Sequence, residues 1–154
     1  PPLFYMTTVA AMLKRLQAVN VENDIHDAIQ NTLPDYQDQQ QQQLFEGKNS
    51  KGEEIGAYRN ELYANYKHEL NSRPGFGVPD LKLTGNFYRS IQSNVTKDEI
   101  ETGADGVDYA PKLEQQYGSV IFGLNDDHRG VYIENAFFPK LKETIEAKTL
   151  LTFN

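Results

Sequence analysis

The chain has 154 residues, a formal net charge of −7 and no cysteine. The acidic balance argues against a binder that grips phosphates through a basic patch. The missing thiols exclude disulfides, thiolate chemistry and Cys-ligated zinc. No apolar run approaches the ~20 residues of a membrane span. The opening Pro-Pro-Leu-Phe-Tyr-Met-Thr-Thr also lacks the basic region and long apolar core of a secretory signal.

Residues 1–154 are read as one domain, long enough to bury a real core. Apolar residues make up 38% of the chain, below the globular average. That predicts a thin core, polar arms, or a surface completed by a partner. Nine Tyr and eight Phe partly compensate, because aromatics serve as core, as half-buried rim and as interface anchors.

Residues 1–6 read as an extended arm. Pro1 and Pro2 disfavour helix, while Leu3, Phe4, Tyr5 and Met6 are apolar or aromatic. Such an arm docks on its own domain or on a neighbouring subunit. Thr7 or Thr8 can cap a first helix, whose stripe is Val9, Met12, Leu13, Leu16 and Val19. A second run carries Ile25, Ala28, Ile29 and Leu33 past the polar Asn20–Asp24 stretch. Whether these make one helix or two stays open. Pro34 opens a third segment at a position that helices tolerate. Its body includes five Gln, 39–43, and Gly47 is placed as its stop. The Gln run reads either as a solvated helix face or as a polar contact between subunits.

Residues 47–56 are a turn cluster without phosphate-loop spacing. Tyr58, Leu62, Tyr66 and Leu70 then recur every four residues, which predicts a helix over 58–70. Residues 71–80 form an irregular loop, with Phe76 between two glycines as its exposed aromatic. At the centre lies Leu-Lys-Leu-Thr-Gly-Asn-Phe-Tyr-Arg-Ser-Ile, 81–91. Thr84 is a good N-cap there, and Gly85 permits close approach or an unusual φ. Phe87 and Ile91 fall on one face of a short helix, with Tyr88 beside it.

Two short strands joined by a tight turn are predicted over 92–104, and Asp105-Gly106 is a further turn. Tyr109 to Tyr117 is a short helix with Pro111 near its first turn. Val120-Ile121-Phe122 reads as a buried strand ended by Gly123. Asn125 or Asp126 caps the last helix, which carries Ile133, Phe137, Phe138, Leu141 and Ile145. Pro139 inside it should kink or restart it. Residues 149–154 are a tail.

Chemical candidates are few. Asp126-Asp127-His128 has metal-ligating types, but adjacent helical residues diverge by about 100°, and acids are expected at a helix start. His26 and His68 stand apart, with no nucleophile signature to match. Asp105 and Asp108 lack the calcium-loop pattern. Asn94-Val95-Thr96 is a chance glycosylation sequon. No catalytic, cofactor-binding or metal residues are assigned, and the chain is not expected to be an enzyme.

Three stretches together resemble the tail-completion and head–tail connector family of tailed bacteriophages, also called virion morphogenesis proteins. The first is Leu83, Thr84, Gly85, Phe87, Ser90 and Ile91, which matches a Leu-Thr-Gly, apolar, Ser-Ile signature. The second is Tyr109-Ala110 followed by Tyr117-Gly118, with Pro111–Gln116 forming a longer gap than the family shows. The third is Phe138-Pro139 with Leu141, at the start of a closing helix. The resemblance spans residues ~44 to 145 and implies an α+β fold. Several helices would pack on a small antiparallel sheet, with long loops and an extended N-terminal arm. It further implies a structural virion protein that forms a six- or twelve-fold homo-oligomeric ring in the neck. Portal or adaptor proteins would lie on one side and tail-tube or other tail proteins on the other. DNA would pass through without sequence-specific binding, and assembly would occur in the bacterial host cytoplasm. Leu3, Phe4, Tyr5 and Phe76 are the candidate subunit contacts. A tail-terminator or minor tail protein, and a non-viral soluble interaction module, are the alternatives.

Overall fold

The computed structural model describes residues 9–97 and 99–152. The fold is α+β. Its helices are α1 (Val9–Gln17), α2 (Val21–Asn31), α3 (Leu33–Phe45), α4 (Glu61–Leu70), α5 (Asn86–Ser90), α6 (Ala110–Tyr117), α7 (Asp126–Tyr132) and α8 (Phe138–Thr149). The sheet is one antiparallel hairpin, β1 (Ile91–Val95) and β2 (Ile100–Ala104).

Local chemistry sets most of the breaks. Asparagine side chains cap α2, α4 and α7: Asn20, Asn60 and Asn125 accept from the backbone N–H groups of Asn23, Tyr63 and His128. Two helices, not one, therefore span 9–31. Thr32 separates α2 from α3; its hydroxyl donates back to the Ala28 carbonyl at 2.8 Å and pairs with the Tyr132 hydroxyl at 2.8 Å. Pro34 and Pro111 sit in the first turns of α3 and α6, where a missing N–H costs nothing. Pro139 restarts the last helix as expected. A helical N–H at 139 would bond the carbonyl four residues back, and the chain passes through a π-helical turn, Ile133–Phe137, just before it.

Gly47 terminates α3 at φ +72°. A Cβ there would meet Val78 at 2.8 Å and Pro74 at 2.9 Å, so the loop at 74–79 closes only over glycine. The hairpin register pairs Ile91 with Ala104 and Ser93 with Thr102. The last two join hydroxyls at 3.0 Å on the inner face.

The main core gathers Leu44, Ile55, Phe87, Tyr88, Ile91, Ala110 and Ile121. A smaller one joins Tyr36, Leu124 and Tyr132. The hairpin lies on α2 and α3, α3 lies on α7, and α1 and α2 lie on α8. Lys148 of α8 forms an ion pair with the fully buried Asp24 of α2.

Three expectations need correction. Residues 120–122 are not a strand: Ser119–Ile121 is a 3₁₀ turn. Strand pairing is unnecessary there because other groups take its acceptors. The Val120 carbonyl accepts from Ser50 N–H at 2.8 Å, and Gln40 donates to the Ile121 carbonyl at 3.1 Å. Thr84 is not the cap of α5. Gly85 holds that position in a left-handed conformation, and the Thr84 hydroxyl makes only a 3.4 Å contact with Asn86 N–H.

The third correction concerns the Gln run, which is neither a solvated face nor exposed for a partner. Gln40 and Gln43 are fully buried. Gln43 donates to the Gly123 carbonyl at 2.9 Å and accepts from Asn125 N–H at 2.7 Å. Gln41 donates to the Tyr88 carbonyl at 3.1 Å. The Gln40 and Gln43 amides act as surrogate backbone for the irregular 119–125 segment. Gln43→Ala strands one acceptor and one donor and should cost about 2–3 kcal/mol in urea unfolding. Gln42→Ala, on the exposed side, should stay within about 0.5 kcal/mol. Equal effects of the two would refute the assignment.

Candidate interaction site

The first two resemblance stretches converge. Leu83, Thr84 and Gly85 from the loop before α5 and Phe87 of α5, with Tyr109 and Tyr117 at the two ends of α6, line one open cavity of about 570 Å³. Tyr58, Tyr63 and Lys67 complete its far wall. The central loop enters this wall through Leu81 at φ +56°, a left-handed conformation that costs a leucine about 1–2 kcal/mol. Gly85, at φ +82°, reverses the chain into α5.

Beneath the cavity lies a buried ion pair. Lys67 Nζ stands 2.7 Å from Asp80 Oδ1, and the two side chains are 5% and 3% exposed. Every charged group has partners. Asp80 accepts from Lys82 N–H at 3.0 Å and from the Asn71 amide at 2.9 Å. Lys67 donates to the Lys82 carbonyl, and Tyr88 donates its hydroxyl to the Asp80 carbonyl. Asn71 also donates to the Phe45 carbonyl at 2.9 Å. The network ties α3, α4, α5 and the 71–85 loop into one platform. Lys82 reaches over the rings of Phe45 and Tyr88, 5.1 and 5.6 Å from their centroids.

Tyr58, Tyr88 and Tyr117 are held neutral. Burial, then the Asp80 charge, pushes the Tyr88 and Tyr58 hydroxyls up, above the ordinary tyrosine range. Burial raises Tyr117 as well. They are therefore hydrogen-bonding surfaces, not bases. The cavity can bind; among the described residues, its lining pairs no nucleophile with a base.

Ser90 and Ile91 follow on α5 and β1 as buried support, and Ala110 is buried at the start of α6. Gly118 ends α6 at φ +84°. The third stretch lies elsewhere. Phe138, Pro139 and Leu141 line a separate shallow groove of about 610 Å³ with Ile145. Phe76 is exposed and packs edge-on against His68, centroids 5.7 Å apart. Leu3, Phe4 and Tyr5 lie outside the described residues.

The Asp126-Asp127-His128 side chains part as expected. His128 takes Gln39 at 2.9 Å and Glu46 at 3.1 Å, while Asp126 pairs with Arg129. Among the described residues, no group of three or more His, Cys, Asp or Glu could hold a metal ion. Likewise, no described helix is long and apolar enough to cross a membrane.

Two features of this platform escaped the sequence reading. The helix predicted over 58–70 begins at Glu61, and the four-residue spacing of Leu62, Tyr66 and Leu70 does not mark its buried face: these three are exposed, while Ala64 and Lys67 are buried. The available signal was polar: Asn60, Ala64, Lys67 and Asn71 recur at helical spacing. The other is Asp80, whose carboxylate closes a turn onto the N–H two residues on, a signature common in Pro-Asp loops.

Helix α1 presents the other exposed surface. It has no buried residue. Val9, Met12, Leu13 and Leu16 are 45–72% exposed although they form one apolar stripe.

No family model, curated protein or solved structure matches this chain.

Proposed function

We propose that the chain is a non-enzymatic structural subunit of a tailed-phage neck, a ring joining portal to tail around the DNA channel. The observation that carries this reading is the bare apolar stripe of α1. Monomers rarely leave a contiguous apolar face uncovered, and a helix with nothing to bury has no reason to be amphipathic. A neighbouring copy that covers this stripe with a different surface makes a head-to-tail contact, and such contacts form a ring where the rotation between copies closes. The convergence of Leu83-Thr84-Gly85 with Tyr109 and Tyr117 around one cavity supports the same reading, since two of the three stretches that carry the resemblance then serve one site. The net charge of −7 fits a channel that DNA passes without sticking.

Native mass spectrometry of the chain, alone and mixed with a portal protein, tests the proposal. A closed ring of six or twelve copies, free or on the portal, is expected. Leu13→Asp with Leu16→Asp should weaken it about a hundredfold or more, from two buried leucines at roughly 1.5–3 kcal/mol each. A monomer under both conditions would refute the ring and leave a soluble interaction module as the working description.

A further inference from the structure

We infer that the tyrosine-lined cavity is a docking site for an acidic peptide segment of a partner protein, one that sets an Asp or Glu beside an apolar side chain. The ring contact proposed above is the α1 stripe; this is a second, separate surface. Its charge sets it apart from the rest of the chain. The protein carries 22 acidic residues against 15 basic ones, yet among the described residues no Asp or Glu lines this cavity. An adjoining cavity of about 410 Å³ shares Tyr58, Tyr63 and Tyr117 and adds Arg59, and its lining also lacks an acid. Cations gather at the rim. A Cβ on Gly85 would stand 3.1 Å from Arg89 Nη1 and 4.0 Å from Lys82 Cε, so the two side chains meet over that glycine. Among the described residues neither has a carboxylate partner. Lys82 lies over the rings of Phe45 and Tyr88, and Arg89 donates to the Asn86 amide oxygen.

The buried Asp80 beneath does not cancel this field, because Lys67 neutralises it at 2.7 Å. Asp108 and Glu114 adjoin Tyr109 and Leu113 in sequence, but both are exposed and outside the lining. The walls fit the rest of such a segment. Leu81, Phe87 and Leu113 give apolar contact inside, and Leu83 is 64% exposed at the edge. Tyr63 and Tyr109 are exposed, and their hydroxyls can donate to a carboxylate. Lys82 and Arg89 add charge-assisted bonds to the same group. A nucleic acid fits less well, because the net charge of −7 repels a long polyanion. One or two carboxylates seated among local cations escape most of that repulsion, since salt screens the distant charges. The groove along α8 has no such preference, for Glu134 and Lys142 line it together.

Selection of a random heptapeptide library on the immobilised full chain tests this without presuming a sequence. Enriched peptides should pair an Asp or Glu with an aromatic or branched aliphatic residue, with acids favoured over bases by about tenfold or more. The most enriched peptide is then titrated by fluorescence anisotropy. Lys82→Glu should weaken it about tenfold or more. Lys51→Glu makes the same change in net charge at an exposed residue that lines neither cavity, and should stay within about twofold. Leu83→Asp, which sets a carboxylate on the apolar rim, is the second variant and should also weaken binding about tenfold; circular dichroism checks the fold of each. Enrichment of basic or uncharged peptides, no enrichment at all, or equal losses with Lys82→Glu and Lys51→Glu would overturn the inference. So would a single-stranded oligothymidylate that binds as tightly as the peptide and is lost with Lys82→Glu, which would make the site one for nucleic acid. None of these outcomes bears on the ring, which native mass spectrometry decides.

Discussion

Lys67→Met should destabilise the fold by about 3–5 kcal/mol, because it leaves the Asp80 carboxylate buried without its cation. The pair is 2.7 Å apart and almost wholly shielded from water, so little solvent screens the loss. Methionine keeps most of the stem volume, which isolates the charge from the packing. Asp80 would retain its bonds from Lys82 N–H and Asn71, but these neutral donors do not replace the ammonium. Urea unfolding at constant slope measures the effect. A thermal midpoint lower by roughly 6–20 °C is the corresponding shift. A loss below about 1 kcal/mol would show that the pair is solvated and that the platform under the cavity is not built on it. The Lys67→Met, Asp80→Leu double variant should recover part of the loss, since neither charge is then stranded.

Phe87→Ala should cost about 3–5 kcal/mol, as for other buried phenylalanines. Phe87 is 2% exposed in the main core. Its ring packs near Phe122, centroids 6.3 Å apart, and it forms part of the cavity floor. Phe87→Leu should lose far less, because most of the volume remains. Denaturant midpoints of the two variants separate packing from any change in the loop. If Phe87→Ala costs less than about 1 kcal/mol, the 81–91 stretch is not the packing centre of the molecule. The two predictions probe the same platform from its polar and apolar sides. They involve neighbouring residues, so their effects should not be additive.

Much of the local architecture was legible. Pro34, Pro111 and Pro139 marked helix starts, Asn125 a cap, Gly47 a stop, and 92–104 a hairpin. Each signal acts through the sterics or hydrogen bonding of a few adjacent residues. The site was half legible. Leu83, Thr84, Gly85, Tyr109 and Tyr117 stood out as motif residues, but nothing in their order put them around one cavity. The cavity stands over the point where α4 turns Lys67 inward to Asp80, and hydrophobic periodicity does not mark that face of the helix.

By itself, then, the sequence determined where many of the elements begin and end, and the α+β class that their order implies. Those are short-range properties. Tertiary structure alone decided which helical faces are buried. Gln43 is buried because Gly123 and Asn125, some eighty residues on, need its amide. Lys67 is buried because Asp80 neutralises it. The α1 stripe stays exposed although α8 lies against that helix. Burial is a contest among distant surfaces for the same space, and composition and spacing do not record its outcome.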